Sequence, residues 1–379
     1  MTAALETPRL ARTALPIVAI IVFAGMVTAT VLVAGDTLGF DFLAYHLAAA
    51  RLLNGGPVYD LAFAISGGFG LFYYPPTFVP LVLPFGLLAA TPAVWAWTVL
   101  LLGAFLTGVT VMPVSTTVRW WIILLAGLSW PFILGVKLGQ VGSLLFLAFA
   151  IGWRWLDDPL RVGVSGALGA AIKLQPGLIF FWALLTGRYR AVAVGAVVLI
   201  VLAAAATLLA GVGVWADFLT LARRVGDPIA TPHNYTPGAI AFQLGLSADA
   251  ALGVEVLSAI LVLIAVVASA RLATSEASYL VAIIASQLLS PIIWDHYAVL
   301  LLLPVAYLLS AGRWWALIIP LVTAVPLLGI TPPIVYPLAF WTTLVAVFAV
   351  GVRARAQEPG RVQEPGRGPE PAGPPEPAG

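Results

Sequence analysis

The chain has 379 residues, of which 61% are hydrophobic and only 9% charged, and its mean hydropathy is +1.05. A soluble domain is typically about 45–50% apolar and about 25% charged, so this composition excludes a soluble enzyme, a disordered chain and a disulfide scaffold. It predicts an all-α, polytopic integral membrane protein. A β-barrel is not expected, because residues 191–210 are apolar throughout, whereas the strands of a barrel alternate apolar and polar side chains.

Twelve apolar segments are predicted to cross the membrane, the first of them at residues 15–34. This first segment is long enough to span and lacks a clear signal-peptidase site, so we expect it to be retained. The others are 93–112, 120–135, 141–156, 162–175, 177–187, 191–211, 250–270, 277–293, 297–311, 314–330 and 335–352. We expect residues 76–90 to form a re-entrant or juxtamembrane helix, because one more crossing would invert everything that follows.

The predicted domain organisation has three parts. Residues 1–14 form a cytoplasmic N-terminus, and residues 15–352 form the transmembrane domain. Residues 353–379 are rich in Pro, Gly and Glu and repeat the motif Q-E-P-G-R. Such a composition cannot build a core, so we predict a disordered cytoplasmic tail.

Arginine positions predict the orientation, because cytoplasmic flanks carry an excess of basic residues. With the N-terminus inside, the threading places these arginines in the cytoplasm: Arg119, Arg154, Arg161, Arg188, Arg190, Arg271, Arg313, Arg353 and Arg355. Arg51, Arg223 and Arg224 fall outside, in the two longest loops. Both lysines and all three histidines also fall outside, and so do these acids and amides: Asp36, Asp41, Asp60, Gln140, Gln175, Asn234 and Asp295. This concentration of mixed polar groups predicts a functional site on the outer, non-cytoplasmic face.

The first outer loop contains a short predicted helix over residues 41–53, ended by Asn54-Gly55-Gly56-Pro57. Asp41 and Tyr45 are four residues apart and therefore share one face of this helix. Asp is a preferred N-cap residue, so one interpretation is that Asp41 only caps the helix. The other is that its carboxylate presents an oxygen to a substrate.

Two further segments of the outer face have both a structural and a functional interpretation. The aromatic turn at residues 69–78, which includes Tyr74, is either a membrane anchor or a wall for a sugar or isoprenoid chain. Lys137 and Lys173 each precede a glutamine in similar turns. They either extend their ammonium groups from a helix end toward water or share an anionic ligand such as a phosphate.

The segment S-P-I-I-W-D-H-Y at residues 290–297 is predicted to open a span at the outer surface. One interpretation is that Asp295 caps a helix and His296 lies in the headgroup region. The other is that both form a sugar and phosphate platform together with Trp294 and Tyr297. The loop T-P-H-N-Y-T-P at 231–237 is typical of an ordinary polar loop. No D-x-D, H-E-x-x-H or Walker motif is present, so we expect neither a metal nor a nucleotide cofactor. A lipid-carried sugar donor would suit an enzyme on the outer face.

The order of these motifs resembles glycosyltransferase family 87, the polyprenyl-phosphate-mannose-dependent α-mannosyltransferases of the GT-C fold class. The resemblance covers about residues 15–352, from D-F-L-A-Y-H-L through Y-Y-P-P and the two lysine turns to S-P-I-I-W-D-H-Y. It implies a metal-independent, inverting hexosyltransferase in a bacterial plasma membrane, with its active site outside. The donor would be a polyprenyl-phosphate sugar, and the acceptor a lipid-linked or cell-envelope glycan.

The resemblance also implies roles for individual residues. The aspartate of the first outer loop is the family's catalytic base, and the matching position is Asp41. We predict that Lys137, Lys173 and His296 bind the donor phosphate. Candidate substrate-binding residues are Tyr45, Tyr74, Gln140, Gln175, Asn234 and Asp295. The alternative function is a secondary transporter or a lipid flippase of an envelope-glycan pathway, but a transporter would need ionisable groups near the membrane midplane.

Overall fold

A computed structural model describes residues 9–62, 71–224 and 228–357, and this part of the chain is helical, as expected. The α-helices are α1 Arg9–Ala34, α2 Phe42–Leu53, α3 Val79–Val82, α4 Ala90–Val111, α5 Thr116–Leu128, α6 Trp130–Leu138, α7 Gly142–Arg154, α8 Pro159–Ile172, α9 Leu178–Leu185, α10 Tyr189–Ala210, α11 Gly213–Arg224, α12 Pro237–Gln243, α13 Ala248–Leu272, α14 Ser275–Leu288, α15 Leu302–Ser310, α16 Ile318–Leu321 and α17 Val335–Ala356. Short 3-10 helices lie at Gly35–Thr37, Pro76–Phe78, Leu83–Leu87, Gln175–Gly177, Asp295–Leu301, Trp314–Leu317 and Val325–Leu327.

Five helices of the described chain are long and apolar enough to cross a membrane. They are α1, α4, α10, α13 and α17, with a sixth span if the pair α6 and α7, bent by 119°, is counted as one. The other apolar helices have 10–17 residues, whereas a perpendicular crossing needs about 20. The twelve predicted crossings and the GT-C topology therefore stay predictions, although the helical membrane architecture is shown.

Residues 314–330 are not the continuous helix that the sequence predicts. They form two 3-10 turns and the four-residue helix α16. Pro320 and Pro326 interrupt the helical hydrogen bonds, and the Trp130 amide donates to the Thr323 carbonyl at 2.9 Å. The segment therefore packs as irregular backbone beside the break between α5 and α6.

The segment at 76–90 is likewise broken by prolines into two 3-10 turns around α3. Its apolar helical part, Pro76–Leu87, has too few residues to span the membrane by itself. A Cβ on Gly86 would lie 2.8 Å from the backbone of Ala49, so this glycine lets the segment pack directly on α2. The segment therefore lies against the helix that follows Asp41.

The two chain ends differ from the sequence-based boundaries in one respect. Helix α17 continues through Arg353 and Arg355 to Ala356, so residues 353–356 are helical and the boundary predicted at 353 moves to the end of this helix. The rest of the predicted tail, residues 358–379, lies outside the described residues. Residues 1–8 of the predicted cytoplasmic N-terminus do so too.

Turns predicted to be cytoplasmic contact one another through their arginines. The Arg355 guanidinium donates to the Arg271 carbonyl at 2.7 Å, joining the ends of α17 and α13. Arg188 donates to the Leu156 carbonyl at 3.1 Å and lies 3.6 Å from Asp157. These contacts join the end of α13 to that of α17, and the turn after α7 to the start of α10.

Candidate functional site

Asp41 is held beside the turn that follows α6. Its amide donates to the Leu138 carbonyl at 2.8 Å. Gly139 ends α6 with a φ of +71°, and a Cβ there would lie 2.8 Å from the Cβ of Phe42. Only glycine permits both this left-handed conformation and the close approach. The next residue, Gln140, is thereby placed against the Asp41 side chain.

The Asp41 carboxylate does not cap α2, although the residue occupies the N-cap position. Its Oδ2 instead accepts a hydrogen bond from Gln140 Nε2. Burial raises the pKa of Asp41, and the Gln140 hydrogen bond and the Lys173 charge oppose that increase. Of the two interpretations of Asp41, the simple cap is therefore wrong for its side chain, and the pKa favours proton acceptance nearer to neutral pH.

Two tyrosines continue the hydrogen bonding from Gln140. Tyr74 Oη donates to Gln140 Oε1 at 3.1 Å, and the hydroxyls of Tyr45 and Tyr74 are 2.6 Å apart. The Tyr59 hydroxyl donates to the Tyr74 carbonyl at 2.7 Å. Tyr45 is only 1% exposed, so its hydroxyl serves this network rather than an open surface.

Lys173 follows the last residue of α8 and lies among aromatic rings. Its Nζ is 3.6 Å from the ring centroid of Tyr297 and 5.9 Å from that of Tyr74. Burial lowers the pKa of Lys173 to about 7, with the Asp41 charge acting in the opposite direction. This ammonium group therefore faces the polar cluster, where an anion would restore its full charge.

His296, like Lys173, is a polar side chain and a candidate for ligand binding. It is 5% exposed, and within the described chain neither ring nitrogen has a hydrogen-bond partner. Its ring contacts that of Tyr297 edge-on at 5.0 Å, and it interacts electrostatically with Lys173. Its Nδ1 lies 3.8 Å from Asp295 Oδ1, and a buried imidazole whose nitrogens lack hydrogen bonds is costly, so His296 is a candidate for ligand binding.

Asp295 and Gln175 lie near this cluster but are already bonded. Asp295 Oδ2 accepts a hydrogen bond from the Trp130 indole at 2.8 Å. This bond joins the 3-10 helix Asp295–Leu301 to the start of α6. Gln175 Nε2 donates to Ser290 Oγ at 3.2 Å. Both side chains retain further hydrogen-bonding capacity, so they stay candidates for substrate binding.

Lys137 is not brought into the cluster by any contact. Its half-buried side chain has no hydrogen bond, ion pair or ring contact with the described residues. Only its backbone takes part, since its carbonyl accepts from the Gly39 amide at 2.8 Å. The resemblance between the two lysine turns therefore does not extend to a shared side-chain environment.

Asn234 has a structural role that differs from the predicted substrate contact. Its side-chain amide donates to the carbonyls of Pro228 and Pro291, and its Oδ1 accepts from the amides of Thr236 and Ile293. The residue is fully buried, and these four bonds use its whole capacity. It ties the 231–237 loop to the segment before His296.

Tyr297 belongs to the platform predicted at residues 290–297, and the structure gives it a partner that the sequence did not predict. Its ring lies directly against Lys173, 124 positions away in sequence. Its position beside Asp295 and His296 is visible in the sequence. No local sequence pattern, however, indicates that its ring contacts Lys173.

A known protein family matches the central part of the chain, which contains some of the residues of this cluster. Glycosyltransferase family 87 matches residues 72–294, which is more than half of the chain. The chain belongs to glycosyltransferase family 87. Membership makes it a membrane glycosyltransferase with sugar donor and acceptor substrates. No curated protein and no solved structure matches the chain.

The family 87 match includes Tyr74, Gln140 and Lys173. Asp41 precedes the matched range, and His296 lies two residues beyond it. In the structure Asp41 and His296 lie in the same cluster as the residues inside the matched range.

Proposed function

We propose that this family 87 enzyme transfers a hexose, mannose, from a polyprenyl-phosphate sugar to a lipid-linked or cell-envelope glycan. One observation carries the proposal: a carboxylate, Asp41, and a cation, Lys173, lie at two helix ends, near enough for their charges to interact. The carboxylate suits proton acceptance from a hydroxyl. The cation suits a phosphate, and apolar helix surfaces suit an isoprenoid chain.

The proposed step is a single displacement at the anomeric carbon. An acceptor hydroxyl oxygen attacks this carbon, and Asp41 takes the hydroxyl proton. The bond between the anomeric carbon and the phosphate oxygen breaks, and its electron pair leaves with the polyprenyl phosphate. Attack opposite the leaving group inverts the configuration. A phosphate leaving group is stable as an anion, so no general acid is required.

Lys173 and His296 are the proposed contacts of the donor phosphate. A cation close to the leaving oxygen stabilises the charge that develops as the bond breaks, and Lys173 is placed among the rings of Tyr74 and Tyr297 to do this. The unpaired imidazole of His296 supplies a hydrogen bond. Lys137 is left out of the proposed site because its side chain contacts no member of this cluster among the described residues.

Radiolabelled transfer with purified protein in lipid vesicles tests the function. We expect label to pass from polyprenyl-phosphate-mannose to a glycolipid acceptor, and a chelator to leave the rate unchanged. Polyprenyl-phosphate-glucose and a mannose nucleotide serve as the alternative donors. Transfer only from the nucleotide, or from no donor at all, would reject the proposal, and preferential use of glucose would reject mannose.

The proposed active site faces the outside of the bacterial plasma membrane. The motive is the arginine distribution, which places Arg119, Arg188 and Arg313 in the cytoplasm. Since the chain contains no cysteine, single cysteines can be introduced and labelled in intact cells with an impermeant reagent. We expect labelling after substitution of exposed Leu174, next to Lys173, and none at Arg188. Labelling at position 188 would contradict the orientation.

A further inference from the structure

A continuous chain of hydrogen bonds leads from α2, through the aromatic segment of the first loop, to Asp41. It runs from Tyr45 through Tyr74 and Gln140 to Asp41 Oδ2. Gln140 is 8% exposed and Tyr45 is 1% exposed, so water has little access to the inner links. The donors and acceptors in the chain must therefore match one another.

Only one direction of donation along this series of hydrogen bonds agrees with an ionised Asp41. A tyrosine hydroxyl carries one proton. When Tyr74 donates that proton to Gln140 Oε1, Tyr45 must donate to Tyr74, and the Gln140 NH₂ group is turned toward Asp41. In the opposite polarity the Gln140 carbonyl faces Asp41, and the carboxyl must then be protonated to bond with it.

We propose that Tyr74 is a positioning residue, which locks the Gln140 amide with its N–H toward Asp41 and keeps that carboxylate in its proton-accepting form. The inference rests on the proposed role of Asp41 as the base. It gives Tyr74 and Gln140 a role other than the substrate contact expected from the sequence. With Oδ2 held by Gln140, Oδ1 is the oxygen left for the acceptor hydroxyl.

Other ionisable groups around Asp41 do not duplicate this lock. Lys173 favours the ionised carboxylate through its charge, without a direct ion pair within the described chain. Tyr45, Tyr74 and Tyr297 interact with Asp41 electrostatically. None of these replaces the Gln140 donor at Oδ2, because the Gln140 amide makes the only side-chain hydrogen bond to this carboxylate in the described part of the chain.

Replacing Tyr74→Phe keeps the ring beside Lys173 and removes only the hydroxyl. The Gln140 amide is then free to turn, and the ionised form of Asp41 loses its fixed donor. Because the base acts when ionised, the acid limb of kcat/KM should move to higher pH, by about one unit. On that limb the rate should fall about tenfold, and the donor KM should change much less.

Tyr73→Phe is the matched control, since it removes the same hydroxyl one residue earlier. Tyr73 is 45% exposed, and its hydroxyl has no hydrogen bond among the described residues, so we expect the wild-type pH profile. A double-mutant cycle adds a second control. If Tyr74 acts through Gln140, Tyr74→Phe should have no further effect in a Gln140→Met background.

Infrared spectroscopy tests the lock without using activity. The carboxyl band of Asp41 is the one that Asp41→Asn removes, and its protonation midpoint should rise by about one pH unit in Tyr74→Phe but not in Tyr73→Phe. An unchanged midpoint and pH profile in Tyr74→Phe would overturn the inference while leaving the transferase intact. A shifted midpoint in a protein that transfers no sugar would retain the lock and reject the proposed function.

Discussion

Asp41→Asn is expected to lower sugar transfer by at least about 10²-fold at an unchanged level of membrane-inserted protein, because general-base catalysis typically contributes 10²–10⁴-fold. Asparagine keeps the size of the side chain, and its carbonyl can still accept from Gln140 Nε2. The side chain at position 41 therefore loses its ability to accept a proton but keeps its position. Initial rates with saturating donor and acceptor, normalised to protein in the membrane, measure the effect.

Asp36→Asn is the matched control for this substitution. Asp36 lies in the exposed 3-10 turn Gly35–Thr37, five residues before Asp41. We expect near-normal transfer from it, since it has no contact with the cluster in the described structure. If Asp41→Asn also retained near-normal transfer, the base would have to be another group, with Asp295 and His296 the next candidates.

Lys173→Met is expected to reduce kcat/KM for the donor by roughly 10–150-fold, which corresponds to about 1.5–3 kcal/mol for the loss of a hydrogen bond to a charged group. Methionine preserves much of the length and the apolar stem, so insertion should be unaffected. The effect should be smaller for Lys137→Met, the matched control on the other lysine turn. Equal kinetics in both variants and the wild type would assign Lys173 to membrane anchoring alone.

The Lys173→Arg variant separates the charge of this residue from its shape. The ammonium group binds phosphate only when protonated, and its pKa is lowered to about 7. Wild-type kcat/KM should therefore fall as the pH rises above neutral. Arginine stays charged throughout that range, so the alkaline limb should disappear, while its different geometry leaves the rate at neutral pH below wild type. If the alkaline limb persisted in the Lys173→Arg variant, the titration of a group other than Lys173 would have to cause it.

The sequence singles out candidate site residues where the signal is local. Asp41 starts a short helix, Tyr45 follows on the same face, and polar groups are rare enough in this chain that each one stands out. The composition alone was sufficient for the helical membrane class. Family membership was predicted from the order of short motifs, and the family match confirms it.

Pairings between distant residues were not predictable from the sequence. Gln140 was assigned to substrate, yet it bonds to Asp41, 99 positions earlier. The connection depends on a backbone approach at Gly139, which no periodicity reveals. Asn234 was expected to bind substrate because it is polar, but its four backbone partners come together only when two loops pack.

Helix continuity was also beyond what hydropathy can specify. Residues 314–330 are as apolar as a span, but Pro320 and Pro326 break the helix, and the backbone then pairs with residues 129–130. Hydropathy reports the environment of a segment and not its hydrogen-bond pattern. The same limit applies to α5 and α6, where one predicted span is divided at Ser129.

The most direct test of the account is a structure of the Asp41→Asn protein with a bound polyprenyl-phosphate sugar. We predict that the phosphate lies within hydrogen-bonding distance of Lys173 Nζ, about 2.7–2.9 Å for a charged pair, with a His296 nitrogen as its second contact. The anomeric carbon should face position 41 across a gap that admits the acceptor hydroxyl. A phosphate bound at the arginine-rich helix ends, away from Lys173 and position 41, would contradict the proposed site.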